Sequence, residues 1–192
     1  MVAHRQTVEA VRTYLELPSR TALRPSRATP AGAVIAALEP RTAAEYLAAY
    51  VRVGGPWGWR DRLAWTTQEL DRYLSSKDVR VFALRVDGQF AGFFELKRLD
   101  AARVEVMYFG LDRSFIGRGL GGFMLTRAVE EAFALGAERV ILNTCTLDAP
   151  QALPNYLARG FVIVREERYT TILASAESSA SGSPPAAPTP AA

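Results

Sequence analysis

The sequence predicts an α+β domain built on a central, twisted, mixed but mostly antiparallel sheet of about six to seven strands, with helices on both faces. Two observations lead to this fold class. Segments 79–86, 89–99 and 104–111 alternate in polarity or are rich in β-branched and aromatic residues, and they follow one another closely, as antiparallel neighbours do. The third segment then runs through glycines into an amphipathic helix and a further apolar strand, which is the order of a parallel crossover.

Composition predicts one globular domain, because 49% of the 192 residues are hydrophobic, enough for a substantial core. We divide the chain into an N-terminal extension at 1–31 with an extra strand at 11–17, a folded domain at 32–174, and a tail at 175–192. The tail is almost entirely Ala, Ser, Pro and Gly, which predicts disorder.

Charge and hydropathy argue against two classes of partner. The net charge is only +3 and the arginines are scattered, so we expect no nucleic-acid partner. No apolar run is long enough to cross a membrane, and no apolar signal segment stands near the start, so we expect no membrane partner. With a single cysteine in the chain, we expect a cytoplasmic protein.

The first elements follow from local signals. Residues 33–38 form a short apolar strand, and Thr42 with Glu45 predicts a capping box for a helix that ends before Gly54. Thr66 and Glu69 predict the same cap for a second helix. The pair at 87–88 is Asp-Gly, which predicts a tight hairpin turn between two strands.

The second half of the chain continues the pattern. Apolar residues recur at helical spacing from Leu120 and predict a long helix that Gly136 ends in a left-handed turn. A short apolar strand follows at 139–143. Asp148 predicts the cap of another helix, whose start Pro154 should delay. The segments 161–167 and 168–174 are expected to form two closing strands.

Glycines dominate the loop at 117–122, between a strand and a helix. Glycines let a ligand approach the backbone, and the free N–H groups of a first helical turn bind phosphate, so this loop predicts an anion site to which Arg118 adds charge. The Gly-x-Gly-x-x-Gly spacing also fits a dinucleotide-binding turn, but that alternative needs an acid at the end of the next strand, where Asn143 stands. No Lys-Ser or Lys-Thr pair follows, which excludes a nucleoside-triphosphate P-loop.

Residues 105–161 resemble the GNAT superfamily of acyl-coenzyme A-dependent N-acyltransferases. The loop at 114–121 is similar to that family's Gln/Arg-x-x-Gly-x-Gly/Ala opening of a helix, and Tyr156 stands just ahead of the Gly-Phe pair at 160–161, as in a second family motif. The resemblance implies a GNAT-like sheet, acetyl-coenzyme A (acetyl-CoA) as acyl donor and no metal. It also implies N-acetyl transfer to a primary amine of a small molecule or protein by direct attack in a ternary complex, and it is compatible with a homodimer.

The resemblance further implies which residues contact the coenzyme. The pyrophosphate is expected on the backbone of the loop and the pantetheine arm along the end of the preceding strand; the residues are Phe109, Gly110, Leu111, Ile116, Gly117, Arg118, Gly119, Leu120 and Gly121. Two positions depart from the family pattern, with Ser114 where Gln or Arg is usual and Ile116 where Arg is common. These departures remove side-chain donors and leave the backbone donors in place.

Acyl transfer to an amine needs a base for the amine and an acid for the departing thiolate. His4, the only histidine, lies in the leader, so carboxylates are considered as the base. The resemblance places Glu105 at the family's acid position near the acceptor and the Tyr156 hydroxyl at the coenzyme sulfur; the plainer interpretations are a solvated strand residue and a core aromatic. Glu95, among aromatic residues on the neighbouring strand, is the reserve base and a substrate contact.

The three tryptophans fall within nine residues, at Trp57, Trp59 and Trp65. They can pack against the helices, and the first two can border the substrate; the two interpretations are not exclusive, and the glycines around them allow both. Cys145 could act as a nucleophile, but no histidine is placed to activate it, and a lone cysteine is most often a small buried hydrophobe.

A function from another class is also open. A catalytically silent acyl-CoA-binding module with a regulatory role needs only the glycine loop. A transferase needs Glu105 and Tyr156 beside that loop, and both are present.

Overall fold

The structure is a computed structural model that describes residues 6–39 and 41–173. His4 and the tail at 175–192 lie outside the described residues. The strands are β1 (Gln6–Leu17), β2 (Ala33–Ala37), β3 (Val79–Val86), β4 (Gln89–Arg98), β5 (Arg103–Leu111), β6 (Arg139–Cys145) and β7 (Val162–Leu173), and the α-helices are α1 (Ala43–Gly54), α2 (Thr67–Leu74), α3 (Leu120–Ala134) and α4 (Ala152–Ala158). No helix within the described ranges is both long and apolar enough to cross a bilayer.

All seven strands form one mixed sheet in the order β2-β3-β4-β5-β6-β1-β7. Every neighbouring pair is antiparallel except β5 and β6, which are parallel, as the helical crossover through α3 predicts. The predicted fold class, a mostly antiparallel mixed sheet with helices on both faces, is therefore confirmed.

Local signals set several of the element boundaries. The Thr42 side chain accepts a hydrogen bond from the Glu45 N–H at the start of α1, and Thr66 forms the full capping box with Glu69 at the start of α2. Asp87 and the glycine after it both have positive φ, 50° and 79°, which is the tight hairpin turn that the sequence predicts between β3 and β4.

Three expectations need correction. The N-terminal strand begins at Gln6, five residues earlier than predicted, and lies inside the sheet between β6 and β7. Its full length gives β7 a continuous partner, so 162–173 form one strand and not the two predicted closing strands. Asp148 does not cap α4; its carboxylate accepts hydrogen bonds from the Thr144 hydroxyl and the Cys145 N–H, and α4 begins only at Ala152.

The sheet separates two apolar clusters. One cluster packs α3 and α4 against the sheet and includes Phe94, Leu96, Met124 and Phe161. The other packs α1 and α2 against the opposite face and includes Tyr46, Tyr50, Leu70 and Phe93. Adjacent β4 residues Phe93 and Phe94 fall in different clusters because successive strand side chains point to opposite faces.

Strands β5 and β6 separate towards the C-terminal end of β5. β5 and β6 are paired only from Arg103 to Glu105, opposite Arg139 to Ile141. Beyond that point β6 stays paired with β1, while β5 stays paired with β4, so the two strands diverge. Residues 106–111 of β5 consequently have no neighbouring strand on the β6 side.

Candidate active site

The glycine loop presents free backbone donors. Gly119 is the N-cap residue of α3 and, like Gly117, has a left-handed backbone, with φ of 74° and 84°. Within the described residues, no N–H from Gly117 to Gly121 donates a hydrogen bond to protein. A β-carbon on either left-handed glycine would meet nothing within 4 Å. The loop therefore offers five unsatisfied donors at the positive end of a helix, with open space beside Gly117 and Gly119.

Neither Ser114 nor Ile116 adds a free hydrogen-bond donor to this loop. The Ser114 hydroxyl and N–H both bind the Asp112 carboxylate, which also pairs with Arg52, so Ser114 is not directed at a ligand. Burial raises the pKa of Asp112, but hydrogen bonds from Ser114 and the contact with Arg52 outweigh it and lower the pKa to about 2. The Ile116 N–H bonds the Arg113 carbonyl at 3.3 Å, so the expected run of free donors begins at Gly117. Arg118 is exposed, with its guanidinium 4.8 Å from the centroid of the Phe115 ring.

The residues present fit a pyrophosphate. Five N–H groups without acceptors and an exposed arginine are the chemistry that binds such an anion, and two glycines leave space that side chains would otherwise fill. Gly117 to Gly121 would hold the diphosphate of an acyl-coenzyme A. The thioester of that coenzyme supplies the activated acyl group.

The end of β5 leads directly to this loop. Phe109, Gly110 and Leu111 are partly exposed and lie along the edge of β5 that β6 leaves unpaired. A β-carbon on Gly110 would lie 2.5 Å from the Val53 side chain, so the absence of a side chain there permits close contact with α1. An extended ligand with amide groups could continue the sheet along this edge.

Tyr156 lies on the α3 and α4 side of the sheet and contacts the end of β5. Its ring makes an edge contact with Phe109 at a centroid distance of 6.0 Å and another with Phe161 at 6.2 Å. The residue is 6% exposed, and its hydroxyl has no hydrogen-bond partner among the described residues. Burial, together with the Asp148 charge, raises the pKa of Tyr156 above the usual range, so the hydroxyl keeps its proton at neutral pH.

Glu105 lies on β5 at the point where β5 and β6 diverge, as the last residue paired with β6. Its carboxylate accepts a long hydrogen bond from the Asn143 amide, at 3.5 Å, and stands opposite Lys97 on β4. Burial raises the pKa of Glu105, although Lys97 and Asn143 partly offset that effect. A raised pKa brings a carboxylate closer to the range in which a general base works.

The structure places Glu95 on β4 among aromatic residues, as expected, but with its carboxylate paired inside the protein. Its side chain is fully buried, forms an ion pair with Arg62 at 2.9 Å, and accepts hydrogen bonds from the hydroxyls of Tyr46 and Tyr73. Both carboxylate oxygens are thus occupied inside the protein, which disagrees with Glu95 as a free base or a substrate contact. Glu95 instead links α1 and α2 to the sheet through its hydrogen bonds with Tyr46 and Tyr73. We call Glu95, Arg62, Tyr46 and Tyr73 the buried ion-pair cluster.

The aromatic contacts support packing for Trp59 and Trp65. Trp59 packs closely on Gly54 and lies 5.0 Å from the Tyr108 ring centroid, so it belongs to the apolar cluster of α1 and α2. Trp65 packs against Tyr73 and lies beneath the Arg62 guanidinium. Trp57 is partly exposed and makes no ring contact with another aromatic residue of the described ranges, which leaves it available to border a substrate.

The sequence alone did not indicate two arginines near these sites. Arg62 is buried in the ion-pair cluster, and the available signal was its place between Trp59 and Trp65, where a cation can stack on aromatic faces. Arg159 packs on the first turn of α3; its place three residues after Tyr156 gave no such signal, because the contact joins two helices that are distant in sequence.

Fold and site together define a class: an α+β domain with an anion-binding strand–loop–helix turn beside a sheet that opens at its parallel pair. Comparison with protein-family models found a match over residues 41–161 to the acetyltransferase (GNAT) family. The chain belongs to this family. A comparison with curated proteins found no match to the chain.

Solved structures agree in fold. A GCN5-related N-acetyltransferase from Kribbella flavida is 20% identical, with a TM-score of 0.59 over 90% of this chain and 61% of its own. A GCN5-related N-acetyltransferase from Sphaerobacter thermophilus is 15% identical, with a TM-score of 0.61 over 89% of this chain and 54% of its own. An aminoglycoside acetyltransferase from an uncultured soil metagenomic sample is 14% identical, with a TM-score of 0.56 over 67% of this chain and 87% of its own. The chain thus spans less than two thirds of the length of the Kribbella and Sphaerobacter chains.

Proposed function

We propose that this protein is an N-acetyltransferase that moves an acetyl group from acetyl-CoA to a primary amine of a small molecule or protein. The observation that carries the proposal is the row of unpaired N–H groups from Gly117 to Gly121, which continues directly from the unpaired edge of β5. One stretch of chain thereby offers a site for a diphosphate and, next to it, an edge for an extended amide-bearing arm.

We assign the base and the hydrogen-bond donor to the leaving sulfur to residues on opposite faces of the sheet. Glu105 stands opposite Lys97, and the Lys97 amine lies 5.5 Å from the Tyr73 ring centroid, so Glu105 lies on the α1 and α2 side. Tyr156 contacts Phe109 on the α3 and α4 side. The gap between β5 and β6 separates them. An amine entering from the α1 side can give its proton to Glu105, directly or through water, while Tyr156 donates a hydrogen bond to the sulfur that leaves.

The raised pKa of Tyr156 affects how that hydrogen bond works. With the ordinary values of ~10 for tyrosine and ~8.5 for a thiol, full proton transfer to the thiolate would cost about 2 kcal/mol. Burial raises the pKa of Tyr156 further, which increases this cost. We therefore propose that Tyr156 stabilises the developing charge on sulfur mainly as a hydrogen-bond donor. As the products separate, the thiolate takes up, through solvent, a proton that the attacking amine has released.

The competing function is a silent acyl-CoA-binding module. The test combines calorimetric binding of coenzyme A with thiol release from acetyl-CoA in the presence of an aminoglycoside, a polyamine and a peptide with a free N-terminus. The transferase proposal expects release that depends on one of these amines and falls in the Tyr156→Phe variant. Tight coenzyme binding with no amine-dependent release would contradict it and favour the silent module.

A further inference from the structure

Arg159, at the C-terminal end of α4, packs against the first turn of α3. Its Nη1 atom lies 2.8 Å from the position that a β-carbon on Gly122 would occupy, and the Ser26 hydroxyl oxygen lies 3.2 Å from the same position. One turn earlier on α4, the Asn155 amide nitrogen lies 3.6 Å from the corresponding position on Gly121. The glycine pair thus lets two α4 side chains lie directly on the helix that begins at the proposed coenzyme site.

The guanidinium has no anionic partner. None of the ion pairs within the described ranges includes Arg159, and no side-chain hydrogen bond satisfies it. Its Nε atom is buried without an acceptor. A buried donor without a partner is costly, so such a group calls for an explanation.

The position makes this isolation more costly. The N-terminal end of a helix carries a partial positive charge, so a cation beside the first turn of α3 is disfavoured. Arg159 is itself the C-cap residue of α4, whose carbonyl end favours a cation, but its guanidinium lies against the first turn of α3. Arg159 here adds to the positive potential of the five free N–H groups and of Arg118. An anion bound at this end of α3 would supply the acceptor that the guanidinium lacks.

We propose that Arg159 is a phosphate-binding residue of the coenzyme site, which its guanidinium reaches across Gly122 from α4. This inference rests on the proposed function, because it takes the ligand to be coenzyme A. The phosphate is either the diphosphate on the glycine loop or the 3′-phosphate of the adenosine. Both place the same chemistry, a phosphate oxygen, against the guanidinium.

The test is calorimetric binding without any amine, using coenzyme A and 3′-dephospho-coenzyme A. Arg159→Gln should weaken coenzyme A binding roughly 10- to 100-fold, as expected for a charge-assisted hydrogen bond. Arg127→Gln removes the same charge from the exposed face of α3 and serves as the control, with little expected change. A loss shared by both ligands assigns Arg159 to the diphosphate, and a loss confined to coenzyme A assigns it to the 3′-phosphate.

Gly122→Ala tests the same contact without touching the arginine. The added methyl would lie 2.8 Å from the flexible end of the Arg159 side chain and displace it, and it would press less closely on Ser26, at 3.2 Å from the hydroxyl oxygen and 3.4 Å from the β-carbon. Alanine favours the helix. The double variant with Arg159→Gln should bind no more weakly than Arg159→Gln alone, because both changes remove one contact. Unchanged affinity in Arg159→Gln, or additive losses in the double variant, would overturn the inference. No binding by the unaltered protein would instead refute the proposed function.

Discussion

The coenzyme loop can be tested with two glycines that share a backbone conformation. Gly119 in the loop has φ of 74°, and Gly88 in the β3–β4 turn has φ of 79°. A β-carbon at either position would meet nothing within 4 Å. Replacing either glycine by alanine therefore introduces the same backbone strain and no clash in the free protein.

The expected loss of stability is the same for both variants. A left-handed residue with a β-carbon costs about 1–2 kcal/mol. Alanine recovers about 0.4–1 kcal/mol by restricting the unfolded chain. The net loss is on the order of 1 kcal/mol, which lowers Tm by about 2–4 °C for a domain of this size.

Coenzyme binding should separate the two variants. Gly119 directly precedes the free N–H groups of Leu120 and Gly121, so a methyl group there lies at the mouth of the proposed phosphate site. Losing one charge-assisted hydrogen bond weakens binding roughly 10- to 100-fold, whereas Gly88→Ala should bind as the unaltered protein does. Calorimetry with coenzyme A and a thermal melt on each variant make the comparison. Equal affinity in the two variants, with matched Tm values, would refute the assignment of the phosphate to this loop.

Three further predictions follow from the site. Tyr156→Phe keeps the ring contacts with Phe109 and Phe161 and removes one hydrogen-bond donor to the leaving sulfur, so turnover should fall ~10²- to 10³-fold while calorimetry shows unchanged coenzyme affinity; a matching loss of affinity would indicate a packing role. Glu105→Gln should lower turnover at neutral pH, with partial recovery as the pH approaches the pKa of the amine. Burial raises the pKa of Glu105, so its charged form disfavours folding, and the same variant should melt at a higher temperature at pH 7. This gain in melting temperature should vanish below the unfolded-state pKa of about 4.3, where Glu105 is protonated in both the folded and the unfolded protein. A gain independent of pH would point to a different cause. Arg62→Met leaves the Glu95 carboxylate buried without its cation, and chemical denaturation should show a loss of about 3–5 kcal/mol, partly recovered by adding Glu95→Gln; a loss under 1 kcal/mol would mean that the ion pair is not needed.

Features that depend on neighbouring residues could be predicted from the sequence. The Asp-Gly hairpin turn, the capping box of Thr66 with Glu69 and the left-handed end of α3 at Gly136 each follow from a few adjacent residues. The glycine loop belongs with them, since its free donors arise from the backbone geometry of one turn. The order of strand, loop, helix and strand then fixed the parallel pair, because a helical crossover returns in that direction.

Contacts between distant segments needed the tertiary structure. The sequence predicts an extra strand only at 11–17, and the pairing with β6 and β7 extends it to 6–17 and places it inside the sheet. Glu95 looks like an available acid in sequence, but a residue 33 positions away supplies the cation that occupies it. The proposed role of Arg159 likewise depends on its contact with Gly122 on another helix. Charge and burial act through space, so the role of an ionisable group depends on which partners the fold brings to it.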